Sequence, residues 1–132
     1  MAAGPSDTPQ SRKLGLKSGQ RVWLDHPPSG WNLIDPPADL ITVAPPKPAD
    51  VIVSFFTAAD QIPRRLPDLV QRIHPSGALW IAWPRRAGGH DSDITDNIVR
   101  GQALALGVVD VKVAAIDNTW SGLKLVVRLA NR

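Results

Sequence analysis

Gly77-Ala78-Leu79-Trp80-Ile81-Ala82-Trp83-Pro84, approached through His74-Pro75-Ser76 and left through Arg85-Arg86, is the stretch on which the fold turns. From Ala78 to Trp83 the run is apolar without alternation, and two of its residues are tryptophan. A strand with one wet face alternates; a strand covered on both faces does not, and the middle of a parallel sheet reads this way. The run is expected to be the central strand, entered by a Pro-Ser-Gly turn, with strands beside it and helices above and below. No residue in it or next to it declares a reaction.

Immediately upstream, Val51-Ile52-Val53-Ser54-Phe55-Phe56 has the same unbroken pattern and reads as a second doubly covered strand. Between the two, Ile62, Leu66, Leu69, Val70 and Ile73 recur at helical spacing over Thr57 to Ile73 and put one apolar stripe against the sheet. Asp60 is placed to cap that helix; Pro67 removes an internal hydrogen bond and is expected to kink or split it. Further back, Lys17 to Gln20 turns the chain into a first strand, Arg21-Val22-Trp23-Leu24-Asp25. Asp25-His26-Pro27-Pro28-Ser29-Gly30 follows, leading to a short helical piece from Trp31 to Ile34 with Ser29 as its cap.

Leu40-Ile41-Thr42-Val43 is a short strand among prolines. Seven of the 13 prolines lie between Pro27 and Pro48, so stiff extended linkers carry that part of the chain. The link from Val43 to Val51 is too short for a helical crossover but long enough, if extended, to span the sheet; parallel and antiparallel pairing both stay open.

Downstream, Ala87 to Ser92 reads as a flexible loop before a helix from about Asp93 to Leu106, capped by Ser92 or Asp93 and ended by Gly107. Ile94, Ile98, Gly101 and Ala105 share one face of it. Val109, Val111, Val113 and Ala115 alternate with Asp110, Lys112 and Ala114; Asp117 to Gly122 turns the chain, and Leu123 to Leu129 alternates again. That is an antiparallel hairpin at a sheet edge, with charges that discourage edge-to-edge association.

The 132 residues, 43% apolar, suffice for one domain with its own core and contain no apolar run long enough for a membrane span. Met1 to Arg12 is small, polar and without the apolar core of a secretory signal, so it is expected to be a disordered tail on a single domain at 13–132, working in the cytoplasm. Without cysteine there is no disulfide, thiolate metal site or cysteine nucleophile. The net charge of +3 is unevenly spread: five arginines, Arg64, Arg65, Arg72, Arg85 and Arg86, face only Asp60 and Asp68 between residues 60 and 86.

The order strand, short helix, strand, apolar strand, helix, Pro-Ser-Gly turn, central strand, helix and hairpin resembles the class I S-adenosylmethionine-dependent methyltransferase fold. Leu69-Val70-Gln71-Arg72-Ile73-His74-Pro75-Ser76-Gly77-Ala78-Leu79 looks like that superfamily's approach to its fifth strand, and Val109 to Leu129 like its closing hairpin. Gly77 to Arg86, Asp93 to Val113 and Asp117-Asn118-Thr119-Trp120-Ser121-Gly122-Leu123-Lys124-Leu125-Val126 are similar to a bacterial domain family of unknown function, of the DUF 3052 type. The resemblance implies an α/β, Rossmann-like three-layer sandwich: a mostly parallel six-stranded sheet with a C-terminal antiparallel hairpin.

It also implies where a cofactor would lie. Methyltransferases of this class rest the cofactor's methionine end on a glycine-rich loop after the first strand and hold its ribose with an acidic side chain ending the second. Here the first loop is Asp25-His26-Pro27-Pro28-Ser29-Gly30, whose two prolines remove two amide donors. The second strand ends in Ala44-Pro45-Pro46, and Asp39 stands at its wrong end. The family's third strand is missing. The expectation is therefore a binding or structural module without cofactor, acting through a protein partner; S-adenosylmethionine enters only under the alternative of a methyltransferase with a divergent first loop.

A topological switch point between the first and third strands would leave a crevice at their C-terminal ends. Asp25, His26, Ser29, Gly30, Ser54, Trp83 and Arg85 are its candidate residues. Asp25 beside His26 could serve as an acid–base pair, although no nucleophile or metal spacing accompanies them, and a loop cap beside a solvated histidine explains them as well. His90, Asp91 and Asp93 offer metal ligands at no recognised spacing, and helix capping explains the aspartates. Arg64, Arg65, Arg86 and Trp120 are the candidate partner surface; Trp120 either plugs the end of the core or projects as a contact. Nucleic acid is disfavoured as a partner because the basic segment carries little aromatic interleaving, and a weak nucleic-acid-binding module using that segment is the second alternative.

Overall fold

The computed structural model describes residues 8–86 and 91–128. Its centre is β4, Ile73–Pro84, in which Ala78 to Trp83 are all buried, as the unbroken apolar run requires. On one side β4 pairs in parallel with β3, Ala49–Phe55, which pairs in parallel with β1, Arg21–Asp25, which pairs in parallel with β2, Ile41–Thr42. On the other side it pairs antiparallel with β6, Trp120–Val127, whose outer neighbour is β5, Val108–Ala115. Among the described residues the sheet therefore has six strands in the order β2-β1-β3-β4-β6-β5. The second strand is parallel, and the chain from Val43 to Pro48 passes β1 through a turn, the amide of Lys47 donating to the carbonyl of Ala44 at 3.1 Å, and not in the extended form expected.

Alternate residues of β4 point to two different cores. Leu79, Ile81 and Trp83 meet α2, Gln61–Arg72, and α3, Asp96–Leu104, through Ile62, Leu66, Leu69 and Val99. Trp80 and Ala82 face the opposite layer, which is thin: α1, Gln10–Leu14, and the extended segment that carries Trp31, Leu33 and Leu40. The indole of Trp80 is fully buried there and donates to the carbonyl of Leu14 at 3.2 Å, so α1 supplies both cover and the partner a buried indole needs. Gln10 ties this layer together, donating to the carbonyl of Ile116 at 3.1 Å and accepting from the amide of Ile34 at 2.8 Å.

Several local expectations are corrected. The expected tail ends early: Gln10 to Arg12 belong to α1, and residues 1–7 lie outside the described residues. Trp31 to Ile34 is not helical, because Ser29 and Gly30 make a turn and the following residues run extended towards Pro36. His74 to Gly77 is not a turn before β4 but part of it, a bulge in which Ala49 pairs with Ile73 and Val51 with Ala78. Pro67 is accommodated inside a single helix α2. Asp60 makes no side-chain cap; Gln61 accepts from the amides of Thr57 and Ala58 instead, at 2.9 and 3.2 Å.

On α3 the cap is Thr95, which accepts from the amide of Ile98 at 3.3 Å, while Asp93 accepts from the amide of Ala59 at 2.8 Å. Of the face expected to pack, Ile94 is buried but Ile98, Gly101 and Ala105 are exposed; within α3, Val99 and Ala103 are the buried pair. In β5 the alternation is broken by a bulge between Asp110 and Lys112. Asp110 pairs with Leu125 but Lys112 with Lys124, so the side chains beyond Val111 change faces.

Candidate functional site at the ends of β1 and β3

The strand order reverses between β1 and β3: the chain leaves β1 for β2 on one side and enters β3 on the other. In register, the last residue of β1 stands beside Ser54 of β3. Asp25 is 6% exposed and Ser54 is fully buried. One carboxylate oxygen of Asp25 accepts from the Ser54 hydroxyl and from the Arg65 guanidinium, both at 2.5 Å. The other oxygen lies 2.8 Å from Nδ1 of His26.

Arg65 reaches this point from α2. It also donates to the Ser54 hydroxyl at 2.9 Å and to the carbonyl of Phe55 at 2.9 Å, and its guanidinium lies 4.0 Å from the centre of the Phe56 ring. The Arg65 nitrogen bound to Asp25 and Ser54 also lies 3.1 Å from Nδ1 of His26; in the tautomer with Nδ1 protonated, His26 donates to Asp25 and leaves Nε2 turned away from the carboxylate. Burial pushes the Asp25 carboxyl up, but the hydrogen bonds from Ser54, Arg65 and His26 outweigh it and hold the group below the ordinary aspartate value. His26 itself sits at φ 54, a left-handed conformation uncommon outside glycine.

A cleft of about 260 Å³ opens beside this cluster, lined by His26, Pro28, Phe55, Thr57, Gln61, Arg65 and Trp120. Its floor is aromatic: Phe55 meets Trp120 edge to face at 5.0 Å and Trp31 at 4.8 Å. The loop after β1 folds back, the amide of Trp31 donating to the carbonyl of Pro28 at 3.0 Å. Trp31 then donates from its indole to Asp117 in the β5–β6 turn at 2.9 Å.

The candidates named from sequence separate into groups. Asp25, His26 and Ser54 come together. Ser29 and Gly30 are exposed at the loop tip, Gly30 with φ 77. Trp83 is buried against the α2–α3 layer, and Arg85 donates to the carbonyls of Asp117 and Asn118; neither is in the Asp25 cluster, because β4 ends beyond β3 and feeds the hairpin. Arg65 moves from the expected partner surface into the site, whereas Arg64 and Arg86 stay exposed. Trp120, 8% exposed, plugs the core. The sequence carries a partial signal for Arg65, three residues after Ile62 and four before Leu69 on the flank of the buried stripe, but its reach to Asp25 depends on how α2 docks. Among the described residues no three acidic or histidine side chains cluster as a metal site, and His90 lies outside them.

No family model and no curated protein matches the chain. Solved structures do. A proposed methyltransferase from Thermoplasma acidophilum superposes with a TM-score of 0.53 at 7% identity, over 86% of this chain and 70% of the other. The fold is methyltransferase-like. Magnesium protoporphyrin IX methyltransferase from Synechocystis PCC 6803, with bound S-adenosylmethionine, gives 0.51 at 7% identity over 68% of this chain and 47% of its own. LepI in complex with S-adenosylmethionine gives 0.55 at 12% identity over 89% and 39%. At such identities the likeness is one of fold, and this chain spans less than half the length of the latter two.

The residues present depart from the cofactor site that the resemblance implies. The acidic group ending β1 is already neutralised from within by Arg65. β2 is followed by Val43 and Ala44 with no carboxylate, and Asp39 precedes it. Directly after β1, Pro27 and Pro28 have no amide hydrogen, and the loop that follows lays Trp31 on Phe55.

Proposed function

We propose that this chain is a shortened methyltransferase-like domain that works as a binding module through the cleft at the ends of β1 and β3, and not as a methyltransferase. One observation carries the reading: the Asp25 carboxylate, at the place where this fold meets a cofactor, has both oxygens occupied by Ser54, Arg65 and His26. A cationic cofactor would have to displace Arg65, leaving that guanidinium without its carboxylate. The cleft instead offers His26, Gln61, Thr57 and an aromatic floor, which suit a small polar ligand or the side chain of a protein partner. Kinship with the bacterial family of unknown function and a cytoplasmic place of work belong to the same proposal and rest on the segments quoted above.

The second reading, an S-adenosylmethionine-dependent methyltransferase with a divergent first loop, is favoured by the fold comparison, in which the magnesium protoporphyrin IX methyltransferase and LepI structures hold that cofactor. Thermal unfolding with the cofactor separates the two. A ligand at 100 times its dissociation constant stabilises a protein by about 2.7 kcal/mol, a rise in Tm on the order of 10 °C for a chain of this size. With S-adenosylmethionine or its demethylated product at 1 mM no rise is expected; a rise of that order establishes the second reading.

A further inference from the structure

A larger cleft lies elsewhere, about 760 Å³ between the end of β4, the β5–β6 hairpin and the start of α3. Four cations line it: Lys13 from α1, Arg85 and Arg86 beyond β4, and Lys112 of β5. The one acidic lining residue, Asp96, is taken by Arg100 at 2.7 Å. Among the described residues none of the four cations pairs with a carboxylate. Their partners are carbonyls: Ala115 for Lys13 at 2.9 Å, Asp117 and Asn118 for Arg85 at 3.2 and 3.3 Å, and Ser92 for Arg86 at 3.1 Å.

Two features are unfavourable for the protein alone. Lys13 is a buried residue, 8% exposed, whose charge meets the carbonyl of Ala115 and, among the described residues, no carboxylate. Lys112 stands directly opposite Lys124 across the β5–β6 ladder, a placement the bulge at Val111 creates, and like charges opposed in this way destabilise a sheet. Burial, followed by the charges of Lys112 and Lys17, pushes the Lys124 ammonium below its ordinary value, as expected of a region with excess positive charge. An anion in the cleft would relieve both. Arginine forks matched to a tetrahedral oxyanion, beside a lysine held as a point charge, favour phosphate over carboxylate.

We propose that this cleft binds the phosphate group of a phosphorylated small molecule, independently of the cleft beside Asp25. The test is calorimetric titration of the full chain with pyrophosphate and, at equal ionic strength, with succinate. Pyrophosphate should bind saturably and more tightly than succinate, and raising the salt should weaken it. Arg86→Ala with Lys112→Ala, both exposed positions, should weaken pyrophosphate at least about tenfold, the loss of one charged contact. Lys13→Met should do the same, with circular dichroism checking its fold. Failure of pyrophosphate to bind at millimolar concentration, succinate binding as tightly, or unchanged binding by the Arg86→Ala, Lys112→Ala chain would each overturn the proposal.

Discussion

Asp25 stays ionised in a buried position because three side chains donate to it, and that arrangement has a measurable pH signature. Its folded-state value lies below the unfolded 3.8, so the charged form favours folding. The contribution is fully present above pH 3.8 and is lost as the pH falls through the lower folded-state value. Arg65→Met removes the only cation among the three that is always charged, while keeping an apolar stem over Phe56. Because Arg65 is partly exposed, the expected loss is about 2 kcal/mol at neutral pH, below that of a fully buried pair. The acid unfolding midpoint, followed by circular dichroism, should move to higher pH. An unchanged midpoint would mean that Arg65 does not hold the carboxylate.

At the scale of elements, two glycines are fixed by what approaches them and a third is not. A Cβ on Gly77 would lie 2.3 Å from the carbonyl oxygen of Asp50, so the β3–β4 bulge closes only on glycine. A Cβ on Gly122 would meet Trp80 at 2.9 Å and Ile116 at 2.7 Å. Gly77→Ala should cost about 2 kcal/mol through forced backbone movement. Gly101→Ala, on the exposed face of α3 with nothing within 4 Å, should instead stabilise by about 0.5–1 kcal/mol. Urea unfolding of the two variants side by side checks the opposite signs.

Strands were legible wherever both faces are covered, because an unbroken apolar run such as Ala78 to Trp83 admits few other readings. Helix faces were less so. Ile62, Leu66 and Leu69 are a clear stripe, whereas on α3 the apolar set Ile98, Gly101 and Ala105 competes with Val99 and Ala103, and only packing against β5 and β6 decides. The bulge at Val111 left no mark in the alternating Val109, Val111 and Val113. Of the site, Asp25, His26 and Ser54 follow from strand ends and the switch point; Arg65 needs its helix docked before its reach is apparent.

The whole molecule is asymmetric about its sheet, with two helices of 12 and nine residues on one face and a five-residue helix plus proline-stiffened chain on the other. The thin face nevertheless hides Trp80, Phe55 and Trp120, so it bears on stability as much as the thick one. Leu14→Ala, at a fully buried position under Trp80, should cost about 3 kcal/mol, comparable to Leu66→Ala on the other face, and shift tryptophan emission to the red. A loss below about 1 kcal/mol would mean that α1 is not part of the folded unit. The same face carries Trp31 and its loop, which pack on Phe55 and tie to Asp117 beside the cleft of the proposed function.

Isothermal titration of the full chain with S-adenosylmethionine bears most directly on whether this fold has kept its cofactor. No saturable heat up to millimolar concentration is the expected result, with Asp25 still locked to Arg65. Micromolar binding that is lost in Asp25→Asn would contradict it and make the chain a cofactor-dependent enzyme.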